Sequence, residues 1–442
     1  MSFAGARWYK FDFHTHTPAS EDYGKGPDQI LLKAMSPRDW LLGFMSAGID
    51  CVAVTDHNSG EWIDLLKSEL AKLEREMPAG YRELMLFPGV EVSANNGIHI
   101  LGIFDRTASS ATIAGLLGAV SYRGAYGKCA IAATASAEEV VNKIAEAGGL
   151  AILAHVDCPR GAFELSGSTL QPLLNNADLS AVELIDLGFT SPEIYRTHKR
   201  QFTEVIGSDS HHPSGPPGSC FPGSKFTYVK MGLPALEGLR LALIDGSPHS
   251  VQRSDTAIKG FDPNVPPANW MRRISVNSAK LMGRGSKQDV DFSPWLTALV
   301  GGRGTGKSSV AHFLRGVFQR SDEFDALPRG YPPRQTYEDF VRVPASKSEQ
   351  GALTDQTKVT VEFEHEGSPF RIDWDAARNS HDVFELVADS GSEVSPHFFL
   401  RDQALGGPGG GRRCAHGARF KVIKPEKSAD HARQRSIAEV PV

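Results

Sequence analysis

Cysteine is scarce in this chain. Its 442 residues hold five, Cys51, Cys129, Cys158, Cys220 and Cys414, scattered and without a C-x-x-C pair. That excludes a disulfide framework and fits a reducing compartment. Apolar runs near twenty residues are missing too, which leaves no transmembrane helix, and no membrane partner is expected. The start, MSFAGARWYKFDF, lacks the charged-then-apolar order of a signal peptide. Basic charge is not in excess: 47 Lys and Arg against 52 Asp and Glu leave −5, which excludes a generally basic nucleic-acid coat but not a local groove. No internal repeat is present. These exclusions leave the expectation of a soluble, cytoplasmic protein, long enough for one barrel and a second, smaller core.

Histidine and carboxylate are abundant in an ordered series. His14, His16, His57, Glu91, His99, His155, Asp209 and His211 fall in FDFHTHT, AVTDHNS, PGVEVSA, GIHILGI, AILAHVD and IGSDSH, most of them after an apolar, β-branched run. Imidazole and carboxylate suit Zn, Mn and Fe, and one ion uses about four protein ligands. A set this large implies two or three divalent ions. Side chains alternate along a strand, so His14 and His16 point to one side and can reach one metal. The stretches CVAVTDH, LMLFPGVE, LAILAHV and EVIGSDSH read as buried parallel strands, with helices from Glu61, over Ala137–Ala147 and over Pro192–Phe202. Repeated βα units of this kind close into a barrel whose functional groups gather at the carboxyl ends of the strands. His198, His249 and His312 stand outside the series and read as surface or hydrogen-bonded residues. Asp56, beside His57, reads as a residue that orients a ligand histidine or its loop.

HTH, TDHN, PGVE, a histidine eight residues after that glutamate, AH and SDSH, in this order, resemble the PHP (polymerase and histidinol phosphatase) domain over roughly the first two hundred and fifty residues. The resemblance implies an α/β fold, a distorted (β/α)7 barrel, that binds up to three divalent ions and hydrolyses phosphoesters. It implies that His14, His16, Glu91 and Asp209 hold one ion and His57 and His211 a second, with Glu91, His99 and His155 completing the cluster. The first motif continues TPASED, so the further ligand implied there is Glu21 or Asp22; Glu21 is the residue assigned.

A second motif lies downstream in WLTALVGGRGTGKSSVAHFLRGVF. Gly301, Gly306, Lys307 and Ser308 satisfy G-x-x-x-x-G-K-[ST], the phosphate-binding loop, and Gly304 and Ser309 lie within the same turn. Glycines let backbone N–H groups face the phosphates, the lysine adds charge and the serine ligates Mg²⁺. LTALV reads as a strand before the loop and SSVAHFLRGVF as a helix after it. With KFTYVKMGLPALEGLRLALIDG and FDPNVPPANWMRRISVNSAK between the motifs, the chain is similar to PHP domains fused to an AAA-like, ABC/SMC-related ATPase, from about Trp8 to about Gln403. That implies ATP with Mg at the loop and Gln403 in the place of a Q-loop glutamine. No Walker B run follows, so the ATPase half reads as incomplete. The expected organisation is a barrel over 1–255, a linker over 256–292, a partial P-loop NTPase α/β domain over 293–405 and a glycine- and charge-rich, disordered tail over 406–442 that reads as an altered frame or premature end.

The expected chemistry is metal-assisted hydrolysis of a phosphoester substrate, a nucleotide or nucleic-acid end, in which Asp209 relays a proton, His211 or His57 assists the leaving oxygen and Arg160 clamps phosphate. Two other classes compete: an ATP-dependent nucleic-acid-binding machine with a structural metal site, and a small-metabolite phosphatase of the histidinol-phosphate kind. Oligomeric state and metal identity leave no mark in the sequence.

Overall fold

The computed structural model describes residues 4–388 and 398–401, apart from 217, 259, 281 and 346–349. It divides into one compact unit over Gly5–Val265 and another from Pro266 onward.

The first unit is built on a nine-stranded mixed sheet. Its strands are β1 (Arg7–Asp12), β2 (Cys51–Val54), β3 (Met85–Ser93), β4 (His99–Ile103), β5 (Leu150–Leu153), β6 (Leu179–Glu183), β7 (Thr203–Val205), β8 (Thr227–Met231) and β9 (Val251–Arg253). β1 to β7 neighbour one another in chain order, and β8 and β9 continue the sheet antiparallel on the far side of β1. Beyond the strand ends, Thr15 and Ser210 form a parallel bridge, His16 N–H donates to the Ser210 carbonyl at 3.2 Å and Asp209 N–H to that of His14 at 2.8 Å. This seam joins the first strand to the seventh and curls the sheet into a nearly closed barrel.

Both faces of the sheet are covered, as the near-continuous apolar runs require. Alternation splits them cleanly. Cys51, Ala53, Met85 and Phe87 join Phe11, Phe13, Ile152 and Val205 in one cluster, onto which the helix Leu236–Asp245 packs Leu239 and Leu243. Val52, Val54 and Leu86 join Trp40, Phe44, Ile63, Leu66, Val140 and Ile144 of the surrounding helices Pro37–Ser46, Ile63–Glu76 and Ala137–Glu146 in the other.

The unit is not a run of identical βα repeats. β4 lies antiparallel to both β3 and β5. The chain passes from β3 to β4 through a turn closed by Ala94 N–H to the Ile98 carbonyl at 2.9 Å, with Gly97 at φ +78, so no helix intervenes and the direction reverses. The helix expected over Pro192–Phe202 shrinks to Glu193–Arg196. Arg200, expected on it, instead donates to the carbonyls of Asn176 and Leu179. The unit also runs past residue 255, because Asn264 exchanges two hydrogen bonds of 2.8 Å with the backbone of Trp8 and Tyr228 donates to the Phe261 carbonyl.

The second unit is a six-stranded antiparallel sheet in the order β11-β10-β12-β13-β14-β15, with β10 (Trp270–Asn277), β11 (Gln288–Asp291), β12 (Lys358–His365), β13 (Ser368–Asp375), β14 (Ser380–Ala388) and β15 (Phe398–Arg401). β10 and β11 fall in the stretch expected as a linker. The helix Lys307–Val317 lays Val310, Phe313 and Val317 on Ile274, Val359, Val361, Ile372 and Trp374. Gly316 permits this contact, since a Cβ there would meet the Trp374 ring at 2.7 Å. The strand expected in LTALV does not form: Leu296 and Val300 are exposed, and among the described residues no strand pairs with them. The phosphate-loop motif is thus followed by its helix but not preceded by its strand, and the described sheet contains no parallel pair. Gln403 and the tail from 406 lie outside the described residues. No helix among the described residues is long and apolar enough to cross a membrane.

Candidate metal centre

The histidine and carboxylate series converges on the carboxyl end of the barrel. His14 and His16 leave β1 with their backbone fixed from several sides. Asp12 accepts from the backbone N–H groups of Ser208 at 2.8 Å and His14 at 3.4 Å, and the Trp40 indole donates to the His16 carbonyl at 2.9 Å. His57 and Glu91 form a parallel bridge just past β2, supported by Asn58 N–H to the Glu91 carbonyl at 2.8 Å. His99 sits opposite Ser93 in the β3–β4 pair, two residues from Glu91, and therefore on the same face. His155 and Asp209 have left-handed backbones, φ +27 and +49, which turn them off the ends of β5 and β7.

Glu91 is the hub. Its Oε1 lies 2.7 Å from His99 Nδ1 and 3.2 Å from His155 Nε2, and its Oε2 lies 2.6 Å from His57 Nδ1, 3.4 Å from His14 Nε2 and 3.6 Å from His16 Nε2. Asp209 Oδ1 faces His14 Nε2, His16 Nε2 and His211 Nδ1 at 3.5, 3.3 and 3.4 Å. A third group is a triangle: Asp22 lies 3.4 Å from His57 Nε2 and 3.3 Å from His211 Nε2, and those two nitrogens are 3.5 Å apart. Asp209 and His211 keep 35% and 25% of their side-chain surface in solvent, whereas His14, His16 and Glu91 are sealed. The cluster therefore opens on the Asp209–His211 side.

A set of supporting groups orients these rings. Glu183, at the end of β6 and fully buried, accepts from His14 Nδ1 at 2.8 Å, His155 N–H at 3.0 Å and Gly207 N–H at 3.0 Å. A proton on Nδ1 leaves the Nε2 lone pair of His14 free to face Glu91 and Asp209. The Ser20 hydroxyl receives His16 Nδ1 at 2.9 Å and His57 N–H at 3.2 Å and donates to Asp56 at 2.7 Å, which uses its donor and both acceptor positions. Asp56 also holds the Thr17 N–H and hydroxyl, both at 2.7 Å, so it steadies the first motif loop and reaches His16 through Ser20.

Buried charge shapes the protonation of the cluster. Burial pushes the Glu91 carboxyl up, but the imidazoles of His99, His57 and His14 outweigh it and hold it well below its usual range. Burial likewise opposes the charge on His57, and Glu91 and Asp22 override that to raise it to about 11. His14 is raised well above its ordinary value, against burial, by Glu183, Asp209 and Glu91. His16 is pushed well below it by burial and by the neighbouring charges of His211 and His57. Asp22 and Asp209 are depressed against burial by their histidine partners.

The donor set fits divalent cations. Buried His14 Nε2, His16 Nε2, His57 Nδ1, Glu91 Oε2 and both ring nitrogens of His99 make no well-aligned hydrogen bond, although several of them lie within ion-pair distance of one another. Unpaired buried polar atoms are costly and uncommon. Three triads are close enough to hold an ion each: His14, His16 and Glu91; His16, His57 and His211; and His57, Glu91 and His99. Nitrogen and carboxylate oxygen together match Zn, Mn or Fe.

Eight of the nine residues expected as ligands meet here. Glu21 does not: it turns outward to pair with Lys128 at 2.6 Å, and the adjacent Asp22 enters the cluster instead. Arg160 is exposed at the rim, where its guanidinium donates to the Cys129 carbonyl at 3.1 Å. The phosphate-loop residues belong to the other unit. There Gly304 and Gly306 take φ +84 and +91, Ser309 N–H donates to the Gly306 carbonyl at 3.0 Å, Ser308 is exposed, and Lys307 Nζ folds back onto the carbonyls of Gly301 and Gly302, both at 2.6 Å. Glu183 and Ser20 were not anticipated. The signal for Glu183 was present, since LSAVE is an apolar run ending in a carboxylate like the strands that carry the cluster.

No protein-family model matches the chain, and no curated protein does. Among solved structures it is similar to PfuEndoQ, a lesion-specific endonuclease from Pyrococcus furiosus, at 18% identity and a TM-score of 0.42 over 60% of this chain and 62% of that one. It is similar to endonuclease Q in complex with a 27-mer duplex bearing an abasic lesion at the active site, at 19% identity and a TM-score of 0.39 over 54% and 56%. A protein from Bifidobacterium adolescentis classed as a metal-dependent phosphoesterase aligns at 17% identity and a TM-score of 0.33 over 53% and 96%. The chain thus covers less than two thirds of either endonuclease chain.

Proposed function

We propose that the first unit is a metal-dependent phosphoesterase that hydrolyses a phosphate ester, with a nucleotide or nucleic-acid end as its substrate class. The observation that carries this reading is the set of buried imidazole and carboxylate atoms around Glu91 without a well-aligned hydrogen bond, open to solvent beside Asp209 and His211. His14, His16, Glu91 and Asp209 would hold one ion, Asp22, His57 and His211 a second, and Glu91, His99 and His155 a third. Such ions supply Lewis-acid activation of water at neutral pH and neutralise the charge on phosphate.

The chain's own groups do the rest. Glu183 fixes the tautomer of His14, and Ser20 with Asp56 fixes that of His16, so both rings present Nε2 without reorganisation. Asp209 and His211 face solvent and lie 3.4 Å apart, which suits acceptance of a proton by one and its return to the leaving oxygen by the other. Arg160 at the rim matches phosphate oxygens once its contact to the Cys129 carbonyl is released. The motif around Lys307 would add a nucleotide-binding element in the second unit, with ATP and Mg as its ligands.

The test is a substrate panel on full-length protein reloaded with Mn, Zn or Fe: nucleotides, short DNA and RNA with phosphorylated ends, and sugar and amino-alcohol phosphates. Hydrolysis of nucleotide or nucleic-acid esters that disappears on chelation is the expected result. Full metal occupancy without turnover of any phosphoester would overturn the reading.

A further inference from the structure

Cys129 stands beside the cluster. Its Sγ, an Asp22 carboxylate oxygen and a His57 nitrogen all lie within 4.8 Å of one another. His57 is buried, and its Nε2 lies 3.4 Å from Asp22, so the thiol borders two side chains that already meet in the cluster. Among the described residues, no other cysteine joins such a group.

Hydrogen bonds to its backbone hold the segment Gly127–Cys129 beside the cluster. Gly127 N–H donates to the His57 carbonyl at 3.0 Å, and Glu21 N–H donates to the Gly127 carbonyl at 2.8 Å, so the segment is tied to both ligand-bearing loops. Gly127 is needed for this approach: its φ is +82, and a Cβ would come within 2.1 Å of the Ala19 carbonyl oxygen. Asn58 Nδ2 donates to the Lys128 carbonyl at 3.0 Å, and Ser93 Oγ to that of Cys129 at 3.3 Å.

We infer that Cys129 is a further ligand of the ion held by Asp22 and His57, and that its thiolate biases this one position toward a thiophilic ion such as Zn²⁺ or Co²⁺. The inference rests on the metal-centre reading above. On binding, the thiol proton leaves to solvent and a sulfur lone pair forms the bond to the ion. The other positions offer only nitrogen and oxygen, so a chain loaded with mixed metals would sort them by site, with soft ions at the thiolate and Mn or Fe beside Glu91.

The test uses Co²⁺ as the probe on the full, metal-stripped chain. A thiolate-to-cobalt charge-transfer absorption should appear in the near ultraviolet, vanish in Cys129→Ser and persist in Cys158→Ser and Cys220→Ser. Loss of an outer-shell partner alone weakens metal sites 10–100-fold, so the position should bind Co²⁺ on the order of a hundredfold more weakly in Cys129→Ser. Independently, Zn²⁺ should protect Cys129 of the unmodified chain from alkylation, read by peptide mass, which requires no variant to fold. Bound cobalt, shown by elemental analysis, without the absorption or without protection would overturn the role of Cys129 alone. Absence of bound metal would overturn the metal centre with it.

Discussion

Replacing Glu183 by glutamine tests whether the cluster depends on its buried support. Glu183 accepts three hydrogen bonds, from His14 Nδ1 and from the N–H groups of His155 and Gly207. An amide retains one acceptor, so if its oxygen keeps the Gly207 N–H, its NH₂ faces two donors. The His155 N–H loses its charged acceptor and the His14 contact survives only by reversal, so the metal-free unit should lose about 1.5–3 kcal/mol, or roughly 3–12 °C in midpoint. The amide also drives the His14 proton to Nε2, the nitrogen that faces Glu91. Metal affinity should therefore fall about 10–100-fold, which is about 1.4–2.7 kcal/mol. Chelator competition and thermal unfolding of stripped protein measure the two effects separately. The Glu183 carboxyl is held below its ordinary value, against burial, chiefly by His14, so its contribution is complete above the ordinary value of 4.5 and is lost as pH falls below it. The difference between glutamine variant and parent should accordingly shrink in acid. Unchanged affinity with an unchanged midpoint at neutral pH would refute the orienting role.

Other outcomes follow from the same geometry. Elemental analysis of protein purified without chelator should find at least two ions per chain, and replacing His14 and His16 together by alanine should lower that number and abolish hydrolysis; one ion or fewer in reconstituted parent protein would contradict the ligand count. Asp209→Asn should eliminate turnover while leaving the barrel folded by circular dichroism, and retained activity with normal metal content would remove Asp209 from the chemistry. His57 is raised to about 11 in metal-free protein, so it is protonated at neutral pH and must lose that proton to bind an ion. Affinity should rise with pH, and calorimetry in buffers of different ionisation enthalpy should show protons released on loading; no release would contradict the protonated cluster. Lys307→Ala should leave phosphoester hydrolysis nearly unchanged, and ATP turnover, followed as phosphate release, should be weak in both proteins, because no acid to hold Mg²⁺ is evident in the sequence. Robust ATP turnover lost in Lys307→Ala would show the acid exists.

The convergence of His14, His16, His57, Glu91, His155, Asp209 and His211 was legible because each follows an apolar run, and the carboxyl ends of such strands meet in space; His99 instead opens β4 and reaches the same end because that strand runs antiparallel. What the runs concealed was direction. PGVEVS and IHILGI are as apolar in an antiparallel hairpin as in two parallel strands, and only the five-residue turn, with Gly97 in the left-handed region, reverses the chain. Glu21 and Asp22 are adjacent carboxylates in one loop, and which of them faces inward is decided by the Lys128 pair and by the tether from Gly127, contacts more than a hundred residues away. LTALV carries the composition of a strand, yet a strand needs a neighbour to supply its hydrogen bonds, and composition does not reveal whether one is there. Ser20 was invisible because hydroxyls are common in loops, and its value lies in joining His16, the His57 backbone and Asp56 at once.

The seam between Thr15 and Ser210 sets a timetable for the nascent chain. The first pair of histidines emerges from the ribosome early, but the backbone that pins it, through Asp209 and Ser210, is translated last among the barrel's ligand loops. At roughly 5–20 residues per second, that interval is about 10–40 s. During it, any ion that reaches His14 and His16 meets an open pair that exchanges freely with the surrounding pool. On the proposed metal-centre reading, metal content would be decided after the seam closes, by whichever ions are available at that moment, and the composition of the medium during expression would become part of what the purified protein is.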